Sequence, residues 1–143
     1  MSPQPTVVLV HGAFADASGF ASVIRLLEAQ DVPVRAPMNP LRGLASDAEA
    51  IRRYTTTIDG PIVLVGHSYG GAAFTETASA VGWRDVPSWY LVSERDNAIP
   101  PDCERFMAQR MNAVTESVDG SHVAFIAQPE VASGLILKAL ASV

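Results

Sequence analysis

Short runs of apolar, largely β-branched residues alternate along this chain with segments of helical periodicity. Two of the runs, Thr6–Val10 and Ile62–Val65, are almost wholly apolar, which is typical of strands that are buried on both faces. Three further runs, Val32–Ala36, Ser88–Val92 and Val114–Val118, predict shorter or weaker strands. Because strands that alternate with helices are joined by right-handed crossovers, the chain predicts an α/β fold with a doubly wound, five-stranded parallel sheet.

Helical periodicity is clear in the segments between these strands. Apolar residues recur at i, i+3, i+4 and i+7 from Phe20, and residues Pro129–Leu140 predict a closing helix in the same way. Helix starts are predicted at Asp16 or Ser18, at the capping-box spacing from Ser46 to Glu49, and at Asp102.

The composition limits the classes of protein to which the chain can belong. Its 143 residues are expected to form one domain, residues 1–143, and 48% of them are hydrophobic while only 17% are charged. The net charge of −5, with no run of Lys or Arg, argues against a nucleic-acid or anionic-membrane partner. Cys103 is the only cysteine, and we find neither a signal peptide nor a membrane-spanning run, so a soluble, cytoplasmic protein is expected.

A catalytic motif follows the third predicted strand. Gly66-His67-Ser68-Tyr69-Gly70 fits G-x-S-x-G and stands between a buried strand and a helix. The sharp turn in that context strains the serine backbone and exposes its Oγ above the sheet, near the positive end of a helix dipole. Ser68 is therefore the candidate nucleophile, and the alternative is an ordinary turn with a capping serine.

The serine needs a base, because its hydroxyl is a poor nucleophile at neutral pH. His67 directly precedes the serine and points elsewhere at a tight elbow, while His11 leads the first loop, where a backbone role is favoured. His122 follows the last strand, in a loop that can fold back over Ser68. We predict His122 as the base; the alternative is a capping or exposed histidine.

The acid partner of the histidine is expected in the loop after the fourth strand. Asp96 lies within that loop, Glu94 lies closer to the strand end, and Asp102 is assigned to a helix cap. Asp96 is favoured over Glu94 on loop geometry, because it lies between the strand end and Pro100-Pro101. The resulting chain order is nucleophile, acid and histidine.

The negative charge that develops in acyl transfer requires preorganised backbone donors. One donor is expected to be the N–H of Tyr69, directly after Ser68. The other is expected from the loop that follows the first strand, with Ala13 as first choice and Phe14 as second, because Gly12 permits the turn.

Four blocks of the sequence resemble the α/β-hydrolase superfamily: VVLVHGAF, PIVLVGHSYGG, WYLVSERDNAIPP and DGSHVAFIAQPE. They are most similar to the branch that holds plant methyl esterases and hydroxynitrile lyases, with many bacterial relatives. The resemblance implies a nucleophile at Ser68, an acid at Asp96, a base at His122, and oxyanion donors at Ala13 and Tyr69. It implies ester hydrolysis through an acyl-enzyme, without a metal or an organic cofactor.

The chain also departs from the pattern of that family. Relatives have another strand and a helical lid before the strand that bears the acid, whereas residues Thr77–Pro87 bridge that gap directly here. We therefore expect a minimal core without a lid, with strand order 2-1-3-4-5. The acid-bearing strand would move about 4.8 Å toward the nucleophile strand, one inter-strand spacing, and could misalign the triad. Phe14, Trp83 and Trp89 are candidates to cover the open site, as is a second subunit in a homodimer.

Three functions follow from these residues. The leading hypothesis is a serine-dependent carboxylic ester hydrolase that acts on small or accessible esters. A hydroxynitrile lyase is disfavoured, because the lyases of this branch carry a lysine after the catalytic histidine and Val123 stands here. A binding or scaffold protein without catalysis is the alternative from another class. The first loop lacks G-x-G-x-x-G, which argues against a nucleotide or flavin site.

Overall fold

Helices and strands alternate along the chain as the sequence predicts. The computed structural model describes residues 3–79 and 86–143. The elements are β1 (Thr6–Val10), α1 (Ala21–Glu28, preceded by a 3₁₀ turn at Ala17–Phe20), β2 (Val34–Arg35), α2 (Leu44–Thr55), β3 (Ile62–Gly66), α3 (Tyr69–Ser79), β4 (Trp89–Ser93), α4 (Pro101–Arg110), β5 (Val114–Val118), α5 (Ala124–Ala127) and α6 (Pro129–Leu140).

The strands form two parallel sheets. In the first, β1 lies between β2 and β3, with Thr6 opposite Ile62 and Val10 opposite Gly66. In the second, β4 pairs with β5, with Trp89 opposite Val114. These neighbours agree with the 2-1-3 and 4-5 parts of the predicted order. Among the described residues no ladder joins β3 to β4, so the single five-stranded sheet is not observed; helix α6 packs against both of these strands.

Strand β1 is buried on both faces, which explains its unbroken apolar run. Val7 and Leu9 belong to one core cluster, on the side of α1 and α6. Val8 and Val10 belong to another cluster, on the side of α2 and α3. Alternate side chains of one strand thus contribute to two cores, as expected for the centre of a doubly wound sheet.

The capping box predicted at Ser46 and Glu49 is wrong. Helix α2 begins at Leu44, and Ser46 Oγ donates to the carbonyl of Gly43 from inside the first turn. Asp47 holds the helix start instead, because its carboxylate accepts from the backbone N–H groups of Arg42, at 3.0 Å, and Gly43, at 3.4 Å. This carboxylate satisfies donors that lack partners within the helix.

The two other predicted caps differ in outcome. Asp16 accepts from the N–H of Ser18 at 2.8 Å and caps the 3₁₀ turn, as predicted. Asp102 is not a cap, since α4 begins with Pro101 and the carboxylate of Asp102 pairs with Arg105. Proline suits a first helical position because the missing N–H would have no partner there.

Within the described part of the chain, none of the helices has the length and apolar character that a membrane crossing requires.

Candidate active site

Ser68 stands at the junction of β3 and α3 with a strained backbone. Its φ is +53°, in the left-handed region that non-glycine residues rarely adopt. The turn is closed by hydrogen bonds of 2.9 Å from the N–H of Gly70 to the carbonyl of His67 and from the N–H of Gly71 to that of Ser68. Such strain persists only where the surrounding structure enforces it, and it is concentrated at functional sites.

Two glycines allow the backbone to approach this turn closely. A Cβ on Gly70 would lie 2.2 Å from the carbonyl oxygen of Val10, so any side chain there would push α3 away from β1. A Cβ on Gly12 would lie 3.0 Å from the carbonyl oxygen of His67 and 3.2 Å from Cβ of Ser68. The loop after β1 therefore packs directly against the serine because Gly12 lacks a side chain.

His122 and Asp96 are in direct contact. His122 Nδ1 lies 2.6 Å from Asp96 Oδ2, and the Asp96 side chain is only 3% exposed. The carboxylate can only accept, so Nδ1 carries the proton and Nε2 keeps its lone pair in the neutral ring. Burial would raise the pKa of Asp96, but hydrogen bonds from His122 and from the N–H groups of Ile99 and Ala98 outweigh it and hold the pKa below the usual value.

Ser68 and His122 line one cavity of about 160 Å³. Within the described residues Ser68 Oγ makes no hydrogen bond to His122, so the serine and the imidazole share the cavity without a direct bond. Hydrogen bonds of this kind are often long before substrate binds. The apolar rim of the cavity includes Phe14, which is fully exposed, and the exposed Val123 and Ile126.

The expected misalignment of the acid is not observed between Asp96 and His122. Both residues follow strands of the same sheet, β4 and β5, so their contact does not depend on where that sheet lies relative to β3. Of the aromatic residues expected near the site, Phe14 is at the rim, Trp89 is half-buried in β4, and Trp83 lies outside the described residues.

The predicted oxyanion donors lie in the loop after β1 and at the start of α3. Ala13 and Phe14 line the cavity, and Phe14 has a φ of +57°. Among the described residues, the N–H groups of Ala13, Phe14 and Tyr69 have no hydrogen-bond acceptor. Unpaired donors beside a serine are what a developing oxyanion requires.

His11 fixes the shape of that loop. Its Nε2 accepts from the N–H of Asn39 at 2.9 Å, so Nδ1 is the protonated nitrogen and donates to the carbonyl of Gly12, also at 2.9 Å. The ring is buried. His11 therefore orients the loop backbone rather than presenting a base to the cavity.

His67 links the two halves of the site. Its Nε2 lies 2.6 Å from the carbonyl oxygen of His122, so the protonated nitrogen must be Nε2. The His67 ring also packs against those of His122 and Phe125, at centroid distances of 4.7 and 4.6 Å. Burial lowers the pKa of His67 and so favours the neutral ring. Sequence reasoning missed this contact, because the bonded groups are 55 positions apart.

Two buried carboxylates near the site also escaped prediction. Asp47 accepts from Tyr69 Oη at 2.7 Å and ties α2 to the start of α3. Glu104 of α4 is 5% exposed and lies beside Asp96; burial, followed by the Asp96 carboxylate, raises its pKa to about 7. Glu94, the weaker candidate for the acid, is instead paired with Arg105.

Comparison with known proteins identifies the family of the chain. The sequence profile of the alpha/beta hydrolase family matches residues 7–82, just over half of the chain. The chain belongs to the alpha/beta hydrolase family. No curated protein sequence matches this alpha/beta hydrolase.

Solved structures share the alpha/beta hydrolase fold at low sequence identity. A protein assigned to the alpha/beta superfamily of hydrolases, from Xanthomonas campestris pv. campestris, is 19% identical with a TM-score of 0.78, and the match covers 100% of both chains. A pyrethroid hydrolase from Sphingobium faniae JZ-2 is 15% identical with a TM-score of 0.77, over 95% of this chain and 97% of that one. A YdeN-like hydrolase from Pectobacterium atrosepticum is 19% identical with a TM-score of 0.66, over 84% and 80%.

Within the described residues, no cluster of three or more His, Cys, Asp or Glu side chains is arranged to hold a metal ion. The residues around the cavity offer a hydroxyl, an imidazole paired with a carboxylate, and free backbone donors. Those groups match the chemistry of acyl transfer.

Proposed function

We propose that this alpha/beta hydrolase is a serine-dependent carboxylic ester hydrolase of the branch that holds plant methyl esterases. The observation that carries the proposal is the geometry around one cavity. Ser68 lines it from a strained turn, and His122 lines it with its Nδ1 2.6 Å from Asp96 Oδ2. A serine, a histidine and a buried carboxylate in this arrangement form a nucleophile, a base and an orienting acid.

The reaction has two halves. Ser68 Oγ attacks the ester carbonyl while its proton moves to His122 Nε2, and Asp96 stabilises the resulting imidazolium. The oxyanion accepts hydrogen bonds from the N–H of Tyr69 and from that of Ala13, with Phe14 as the alternative donor. The alcohol leaves with the proton from His122. Water then attacks the acyl-enzyme with His122 as base, which releases the acid and restores the serine.

The rim of the cavity favours substrates with small apolar groups. A volume of about 160 Å³ admits a short acyl chain, and Phe14, Val123 and Ile126 present apolar surface around it. Val123 follows the histidine at the position where a lyase of this branch carries lysine, so no ammonium is available there to stabilise a leaving cyanide. Ester cleavage is therefore favoured over cyanohydrin cleavage.

Active-site labelling tests the proposal directly. The wild-type chain should react with a fluorophosphonate probe at micromolar concentration and hydrolyse p-nitrophenyl acetate. Ser68→Ala should lose both the label and the hydrolysis, because the hydroxyl is the attacking group. Equal turnover by Ser68→Ala and wild type would refute the mechanism, and absence of labelling in folded wild type would favour a binding protein.

A matched pair of variants tests the choice of acid. Asp96→Asn should lower kcat by roughly 10³–10⁴-fold, because an amide in this position stabilises the wrong imidazole tautomer. Glu94→Gln should retain activity close to that of wild type, since Glu94 is engaged by Arg105 at the surface. Equal losses in the two variants would contradict the assignment of Asp96.

A further inference from the structure

The carboxyl group of Glu104 lies behind the predicted triad, and none of the catalytic steps uses it. Its side chain is 5% exposed and that of Asp96 is similarly buried. Glu104 Oε2 accepts from the N–H of Ser93 at 3.2 Å, whereas Oε1 is buried and accepts no hydrogen bond from an N–H or hydroxyl group of the described residues. The Asp96 carboxyl is the side-chain group within hydrogen-bonding reach of Glu104. A buried carboxylate with an unsatisfied oxygen is costly unless it is paired or protonated.

No cation is available to pair with Glu104 in the part of the chain that is described. Arg105, the next residue, is engaged by Glu94 and Asp102, and Lys138 is engaged by Glu116 of β5. The titratable groups that do face Glu104 are Tyr90 of β4, Asp96 of the following loop, and His122.

These surroundings decide which group carries a proton. Asp96 already accepts three hydrogen bonds, from His122 Nδ1 and from the N–H groups of Ala98 and Ile99, all of which favour its ionised form. Glu104 accepts one. Two neighbouring carboxyl groups cannot both ionise cheaply, so the proton remains on the less well solvated of the two.

We infer that Glu104 holds a proton against Asp96 below neutral pH, so that the partner of His122 is there a pair of carboxyl groups with a single negative charge. This inference rests on the proposed function, in which Asp96 is the acid. Glu104 is a positioning residue: it touches no substrate, and it acts by keeping Asp96 ionised and oriented. Loss of its proton would place a second negative charge behind the imidazolium.

Direct titration tests this placement of the proton without reference to activity. The ¹³C signal of the Glu104 carboxyl, assigned by its absence in Glu104→Gln, should titrate with a pKa of about 7 in the wild type. In Asp96→Asn the midpoint should fall, because the neighbouring charge that opposes ionisation is removed. A midpoint near the ordinary value of 4.5 in the wild type would overturn the inference, whether or not the chain is active.

The pH profile of kcat/KM provides the functional test. Glu104→Gln places a neutral amide beside Asp96 that can neither gain nor lose a proton in this pH range. The acid limb of its profile should lie about half a pH unit or more below that of the wild type, because no second charge builds up beside the imidazolium. Asp102→Asn, an exposed change on the same helix, should leave the profile unchanged.

The outcomes separate this inference from the proposed function. Superimposable profiles for the wild type and Glu104→Gln, together with loss of activity in Ser68→Ala, would refute the role of Glu104 and leave the ester hydrolase intact. Undiminished activity in Ser68→Ala would refute the hydrolase mechanism, while the carboxyl titration would still decide where the proton lies.

Discussion

Replacement of Glu104 by glutamine should make the stability of this protein less sensitive to pH. The pKa of Glu104 rises from an ordinary 4.5 to about 7 in the folded chain. Between these values the folded state binds a proton that the unfolded state has released, so the free energy of unfolding falls as the pH rises. The favourable contribution is complete below pH 4.5 and is lost once the pH passes 7.

The magnitude follows from the size of the shift. At about 1.4 kcal/mol for each pKa unit, the shift corresponds to about 3 kcal/mol, an upper bound for a group that has some freedom to relax. Glutamine does not titrate, so the difference in unfolding free energy between Glu104→Gln and the wild type should increase by up to this amount from pH 4.5 to pH 7.5.

Urea denaturation, followed by circular dichroism at half-unit pH steps, measures this difference. Asp102→Asn provides the matched control, since it removes an exposed carboxylate from the same helix. A constant difference between Glu104→Gln and the wild type across the range would refute the reasoning. A decrease, with rising pH, in the unfolding free energy of Glu104→Gln minus that of the wild type would also refute it, because the sign would be reversed.

Two further substitutions test contacts that support the site. Gly70→Ala should lower the free energy of unfolding, measured in urea, by about 1–3 kcal/mol, because the new Cβ would collide with the carbonyl of Val10. Gly134→Ala should raise it by roughly 0.5–1 kcal/mol, because the position in α6 has open space around it. An equal response of the two glycines would contradict the close approach of α3 to β1. Tyr69→Phe should lower the melting temperature, because it removes the hydrogen bond to buried Asp47. It should keep ester turnover within roughly threefold of the wild type, because the proposed oxyanion donor is the backbone N–H of this residue. A large loss of kcat in Tyr69→Phe would indicate that the hydroxyl takes part in catalysis.

The sequence contains strong signals for the strands and for the turn at Ser68. Unbroken apolar runs predict β1 and β3 because a central parallel strand has no solvent-facing side. The prediction of α6 at Pro129–Leu140 is confirmed to the residue, since a proline start and a regular apolar face define it. Strand β2 is shorter than predicted, and the four-residue helix α5 is absent from the prediction, because neither has enough residues to show a period.

Contacts between distant residues were beyond prediction. Nothing in the local pattern distinguishes Glu104, which is buried beside Asp96, from Asp102, the exposed acid of the same helix. Asp47 lies between Ser46 and Glu49, whose spacing is typical of a capping box, so the local motif predicts Ser46 as the cap instead of Asp47. The predicted order 2-1-3-4-5 places β4 beside β3, but the described residues contain no ladder between these strands. The local pattern could not show this, because strand adjacency depends on the packing of the helices between the strands rather than on the strands themselves.

The hydrogen bond between His67 and the carbonyl of His122 has a consequence for how the protein becomes competent. The first sheet positions Ser68 and the loop of Ala13, and the second positions Asp96 and His122, so neither sheet alone carries all the residues of the proposed site. Ile136 of α6, which follows the second sheet in the chain, packs in the core of the first sheet, so the two sheets are held together by a shared core. Ester turnover would therefore report the packing of the two sheets against each other as well as the chemistry at Ser68.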